Sequence, residues 1–275
     1  MFDVDDLKIY RGSDIHINDK ITVIQPTLDQ IIEFGESKYF QAVHCLTGVG
    51  ADFKWQLWDY FETDYTTIDD FELFKKVIKP SLSSKKHVYN ELKNNQEKYA
   101  EHISKMSKED WEELLFNPLS LTLKNIDLAD FEEYESDKNQ ETILYDKEHD
   151  ITIDRFVYAM IVDSVRKIHG FKRNNEIPAN EITKMDLIDD ARDDALMASK
   201  KPYKSVLKPL ISALAVKTGQ LGSESIWNTK INMFFDSIKR INKIQDAELL
   251  LQGAYSGFGS LKGVDKTRLD WAGEI

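Results

Sequence analysis

The chain has 275 residues, of which 41% are hydrophobic and 31% charged, a composition that excludes a disordered chain and fits a soluble globular protein. Its 36 basic and 48 acidic residues give a formal charge of −12, a field that repels nucleic-acid backbones and anionic membrane surfaces. Cys45 is the lone cysteine, which excludes an internal disulfide framework.

No uninterrupted apolar stretch reaches the roughly 18–20 residues of a membrane span. The opening MFDVDDLK carries acid where a targeting segment would carry base, so no export signal is visible. We expect neither nucleic acid nor membrane among the partners. The acidity is uneven. Residues 200–275 hold 12 Lys/Arg and 7 Asp/Glu, a balance of +5, which leaves −17 for the first 199. Surface charge drifts along any chain; opposite-signed regions also dock on each other or on neighbouring copies, so a homo-oligomer stays open.

In chain order, Leu7–Tyr10, Ile15–Ile17 and Lys20–Ile24 read as short strands around turns at Arg11–Asp14 and Asn18-Asp19. Thr27 then starts a helix, with Gln30 completing a capping box and Gly35 as its weak point. Short helices are predicted over Phe53–Phe61 and Asp69–Ile78. Residues 83–113 are highly charged with a sparse apolar set, which suits an exposed helical excursion. Strands are predicted at Leu121–Ile126, Phe131–Glu135, Thr142–Tyr145 and Ile151–Ile153, the last two as a hairpin. Asp154 caps a helix from Arg155 to about His169, and Gly170 stops it.

Residues 171–182 are polar and turn-rich, a candidate linker between a mixed region, 1–170, and a helical region, 183–275. Helices are predicted at about 183–199, 203–217, 224–244 and 246–255. Trp227, Ile231, Phe234, Ile238 and Ile241 recur at four- and three-residue steps, a packing stripe. The expected fold class is therefore α+β, with strands and helices first and a mainly helical C-terminal region ending in a glycine-rich tail.

Several groups invite a chemical reading. Asp146, Glu148, His149, Asp150 and Asp154 combine imidazole with carboxylates, the raw material of a metal site or general base. They sit in a hairpin turn, which favours these residues for conformational reasons, and lack HExxH-type spacing. His44 and Cys45 are adjacent and diverge by about 100° on a helix, so they make a poor nucleophilic dyad. Asp189, Asp190, Asp193 and Asp194 read as a solvated acidic face. Residues 253–263 are glycine-rich but lack the phosphate-loop pattern. Lys239, Arg240 and Lys243 form a small basic cluster, with Phe234 and Phe235 beside them reading as core. None of these carries a catalytic, cofactor or metal assignment, and a non-enzymatic protein is expected; the alternative, a metal-dependent enzyme, would need the Asp146–Asp154 cluster to bind the metal.

The stretches QPTLDQIIEFGESKYFQAV (25–43), DFELF (70–74), YDKEHDITIDRFVYAMIVDSVRK (145–167), KPYKSVLKPLISAL (201–214), FDSIKRINKIQDAELLLQGAYSGFGSLKG (235–263) and LDWAG (269–273) together resemble a family encoded by tailed phages and prophages of Gram-positive bacteria. Those proteins come from the tail or baseplate assembly region. The resemblance implies a chaperone-like assembly factor that binds tail or baseplate proteins in the host cytoplasm, or a structural component of the virion tail. Exposed aromatics dominate contact energy, so Tyr255, Phe258 and Trp271 are the expected partner-binding residues.

Overall fold

Asp5 decides how the chain opens. Its carboxylate accepts the N–H groups of Leu7 at 2.9 Å and Lys8 at 3.3 Å, capping helix α1 (Asp6–Tyr10) where a strand was expected. In so short a run a local cap outweighs β preference, and Ile9 alone of the helix is buried. The computed structural model describes residues 5–135, 141–220, 222–256 and 262–273. Strands β1 (Ile15–His16) and β2 (Thr22–Val23) follow as an antiparallel pair, with Ile15 opposite Val23. Helix α2 (Leu28–Phe34) carries the capping box read from the sequence: Gln30 N–H donates to Thr27 Oγ1 at 3.2 Å, and Thr27 N–H to Gln30 Oε1 at 2.9 Å. Gly35, at φ 99°, separates it from α3 (Glu36–Thr47).

Helix α4 (Lys54–Phe61) and then α5 (Asp70–Leu73) occupy the two short helical stretches predicted. Helix α5 widens into a π-helical turn over Phe74–Ile78 before α6 (Lys79–Leu82). Pro80 lacks an N–H and its ring crowds the Lys76 carbonyl, which a wider turn relieves. The charged stretch forms α7 (Lys86–Asn94), α8 (Ala100–Ile103) and α9 (Lys108–Leu115), with Leu92 the buried residue of the three. An edge-to-face contact of Tyr89 with Trp111, 5.4 Å between centroids, joins α7 to α9.

The strand expected at Leu121–Ile126 does not form. The Leu119 carbonyl accepts both Thr122 and Leu123 N–H at 2.8 Å, so a turn takes these donors, and one bridge from Leu123 to Val23 remains. Three strands do form a sheet: β3 (Glu132–Glu135), β4 (Thr142–Asp146) and β5 (Ile151–Ile153), antiparallel in the order β3-β4-β5. Leu144 faces Ile153 across the β4–β5 hairpin. Asp154 then accepts from Phe156 at 2.9 Å and Val157 at 2.8 Å to start α10 (Arg155–His169), which Gly170 ends at φ 66°.

Residues 171–180 are coil tied to the first half of the chain. Arg173 makes a bidentate pair with Asp70 at 2.5 and 3.0 Å, and Lys54 reaches Glu176 at 2.6 Å. Helix α11 (Glu181–Ser199) lies on α4, where Arg192 clasps Asp59 at 2.7 Å and 2.9 Å. Helices α12 (Leu207–Thr218), α13 (Glu224–Trp227) and α14 (Ile231–Tyr255) complete the fold, which is α+β. One hydrophobic cluster includes Leu28, Val43 and Val165 from the first part and Ile188, Leu207 and Phe234 from the second. Among the described residues no helix is long and apolar enough to cross a membrane.

The predicted helix over 224–244 is broken at 228–230, because backbone there pairs with a distant segment. Leu28 N–H donates to the Thr229 carbonyl at 3.1 Å, and Ile231 N–H to the Pro26 carbonyl at 3.1 Å. The predicted break near residue 245 is absent: no Gly or Pro stands between Ile231 and Gln252 to stop α14. Trp227 consequently belongs to α13, off the stripe and 38% exposed, while Ile231 and Phe234 are fully buried and Ile238 and Ile241 pack beside them.

Helix α12 is capped in part from outside its own segment: Ser205 Oγ accepts Lys208 N–H at 2.9 Å, and the two N–H groups before it go elsewhere. Glu36, at the start of α3, accepts the N–H groups of Val206 at 2.7 Å and Leu207 at 2.8 Å. Burial alone would raise this carboxyl, but hydrogen bonds from the Ser205 side chain, Leu207, Val206 and Tyr203 hold it below its ordinary value. Glu36→Ala should cost about 0.5–2 kcal/mol in urea unfolding, the range for losing a helix cap. Glu36→Gln should lose less, because it keeps an acceptor. A second check lies at Gly12, whose φ of 83° and missing Cβ admit the stem of Lys230; a Cβ there would lie 2.4 Å from Lys230 Cγ. Gly12→Ala should destabilise by about 1 kcal/mol or more in the same measurement.

Candidate functional site

Among the expected partner-binding residues, Tyr255 ends α14 with 87% of its surface exposed and Trp271 is 58% exposed. Phe258 lies outside the described residues. The segment bearing Trp271 is held against α14 by backbone capture: Arg240 Nη1 donates to the Trp271 carbonyl at 2.6 Å and the Gly273 carbonyl at 2.7 Å. Arg268 adds a bidentate pair with Asp246 at 2.7 and 2.9 Å. The anchor points on α14, residues 240 and 255, are separated by about 22 Å along the axis at 1.5 Å per residue. Tyr255 and Trp271 therefore present two separate contact points.

Helix α14 changes character along its length. Its first turns bury Ile231 and Phe234, whereas Leu249, Leu251 and Tyr255 are exposed toward its end. Leu251 and Tyr255 stand four residues apart and share a face. Leu249 stands five turns from Ile231 on the same side of the helix, whereas Leu251 and Tyr255 share the side of the buried Ala247. Exposed apolar groups therefore lie on both sides of the last turns, a surface available for contact.

The polar clusters are occupied by structure. Asp146 is buried, and its carboxylate accepts Glu148 N–H at 2.9 Å, His149 N–H at 3.2 Å and His149 Nδ1 at 2.7 Å. Asp150, left-handed at φ 53°, joins Lys20 at 2.6 Å and Tyr145 at 3.0 Å, and Asp154 caps α10. These residues build the hairpin and the helix after it. On α11, Asp189 pairs with Arg192 at 2.5 Å, and Asp190, Asp193 and Asp194 do not gather around a common centre with it. Of the basic cluster, Arg240 is spent on the tail carbonyls. Phe234 is core, as expected, and Phe235 packs against that core.

One feature carries no spacing signal in the sequence. A groove of about 710 Å³ opens between α3, the Gly170-Phe171 coil and the loop before α12. Phe40, Phe53, Phe171, Tyr203, Val206 and Phe235 supply its apolar lining. Its residues come from four distant parts of the chain, so only the tertiary fold assembles them. His44 and Cys45 both line it without forming a dyad. Burial pushes the Cys45 thiol up to about 11, away from thiolate reactivity, and His44 stacks on Phe171 with 4.5 Å between centroids. Beneath them His169 is buried, with Nε2 2.7 Å from the Tyr39 hydroxyl and Nδ1 2.8 Å from the Val165 carbonyl.

Residues 200–275 match a family model described as the YomV second domain. YomV is a phage- or prophage-associated protein. The matched region starts just after α11 and takes in α12, α13, α14 and the tail that Arg240 holds. It agrees with the phage resemblance of stretches 201–214 and 235–273. No curated protein and no solved structure matches the chain.

Two measurements probe this region. Arg240→Ala should raise amide hydrogen exchange across residues 262–273 and leave β4, β5 and α10 protected; unchanged exchange in the tail would show that Arg240 is not its anchor. Burial lowers His169 from 6.5 to about 4, opposed by its bond to the Val165 carbonyl. A base with a lowered native pKa contributes in full above pH 6.5, and its contribution is lost as pH falls toward 4. Unfolding midpoints measured from pH 7 to pH 4 should drop through this window, and less steeply in His169→Phe.

Proposed function

We propose that this chain is a phage or prophage protein that acts without catalysis, binding other phage proteins as a factor in tail or baseplate assembly. The family match over 200–275 supports the phage setting. The observation that carries the binding role is the exposed pair Leu251 and Tyr255 on one face of the last turns of α14. Large aromatic and aliphatic side chains already held on a rigid helix lose little entropy on binding, so they make effective anchors. Trp271 supplies a second anchor near residue 240, and the acidic remainder of the chain keeps the complex soluble. The partners on this reading are tail or baseplate proteins met in the host cytoplasm.

The charge asymmetry favours a second reading, in which copies of the chain remain in the virion tail. A region of +5 beside a remainder of −17 can set register between successive subunits.

Quantitative mass spectrometry of purified particles beside infected-cell lysate separates the two readings. Abundance in the lysate with absence from the particle supports the assembly factor; stoichiometric presence supports the structural component. Leu251→Asp and Tyr255→Asp should each weaken capture of a tail or baseplate protein by about tenfold, on the order of 1.4 kcal/mol. Tyr255 is 87% exposed, so Tyr255→Asp should leave the melting temperature unchanged, whereas Leu251 is 36% exposed and Leu251→Asp should lose some stability. Capture unaffected by either substitution would remove α14 as the binding face.

A further inference from the structure

The aromatic groove has a consistent chemistry. Phe40, Phe53, Phe171, Tyr203 and Phe235 surround a space of about 710 Å³, within the range of small-molecule sites. No Lys or Arg lines it, and the carboxylate of Asp52, at its exposed rim, is its formal charge. Asp52 is fixed there: one oxygen accepts Val49 N–H at 2.9 Å and the other accepts Asn174 Nδ2 at 2.8 Å. His44 at the same rim is lowered by burial, which the charge of Asp52 only partly offsets, so at neutral pH it adds no positive charge.

Aromatic faces carry negative quadrupole density and attract cations, most strongly where water is partly excluded. A carboxylate beside such faces adds the net charge they lack. An anion entering the same space would face Asp52, and no residue of the lining is a cation; the Lys239 ammonium sits beside Gly170 in the neighbouring cleft. A neutral apolar molecule would gain contact with the rings but nothing from the carboxylate.

We propose that this groove binds a small organic cation, an ammonium group carried on an aromatic or branched apolar body, with the ammonium between Asp52 and the ring of Phe171 and the body among the remaining aromatics. The site is distinct from the α14 face and does not depend on the assembly role.

Isothermal titration calorimetry on the full chain tests it, with benzyltrimethylammonium chloride as the probe and benzyl alcohol and 3-phenylpropanoate as neutral and anionic comparators. The cation should bind saturably at one site, roughly tenfold or more tighter than either comparator. Asp52→Asn, which keeps an acceptor, should weaken the cation by about tenfold and leave benzyl alcohol unchanged. If Asp52→Asn does not fold, Phe171→Leu decides, because removing that ring should weaken the cation severalfold. Absence of saturable binding, equal affinity for a comparator, or an unchanged cation affinity in the folded variant overturns the proposal.

Discussion

The backbone pairing of Pro26–Leu28 with Thr229–Ile231 is the constraint on which the rest of the structure depends. Both segments sit where helices begin, and the first N–H groups of a helix have no partner within it. Here Leu28 and Ile231 each donate across to the other segment, so α2 and α14 start at one shared point. Lys230 reinforces it by reaching the Gln25 carbonyl at 2.5 Å, and its stem fills the space beside Gly12. With its origin fixed, α14 must run along α10 and α1, which places Ile231 and Phe234 in the core. Burial on the helix persists as far as Ala247, and the turns beyond it carry the exposed Leu249, Leu251 and Tyr255. Exposure of Leu251 and Tyr255 follows from length and origin together.

The same pairing shapes the groove. Asn232, one residue past the crossing, donates to the Ile168 carbonyl at 2.9 Å and so sets α14 against the end of α10. Phe235 then falls opposite Phe40, with 6.4 Å between ring centroids. Glu36 ties the start of α12 to α3 and so brings Tyr203 and Val206 into the lining. A cavity lined by aromatics survives because its walls are held by hydrogen bonds at their ends, which fix backbone that side-chain packing alone would let collapse.

Local chemistry made much of the fold legible in the sequence. The Thr27–Gln30 box, the Asp154 cap, the Gly170 stop and the β4–β5 hairpin are each specified within a few residues, and all are present. Misreadings arose where a distant segment or a competing cap decided. Leu7–Tyr10 became helix because Asp5 capped it, and Leu121–Ile126 stayed a turn because the Leu119 carbonyl took its donors. The break at 228–230 was invisible because its cause lies two hundred residues earlier in the chain. For the contact surface, Tyr255 and Trp271 were readable as exposed aromatics, but their separation along α14 required knowing where Arg240 takes the tail. The groove was illegible for the same reason, since Phe40, Phe171 and Phe235 have no common periodicity.

The capping of α12 by Glu36 has a consequence for how the molecule is made. A ribosome delivers α3 long before α12, so the acceptor for the Val206 and Leu207 N–H groups is waiting when they emerge. The later segment brings one local acceptor, Ser205 for the Lys208 N–H, and it shares its buried face with residues already synthesised. It settles onto a template made before it, and the start of α12 takes its order from a residue some 170 positions earlier in the chain.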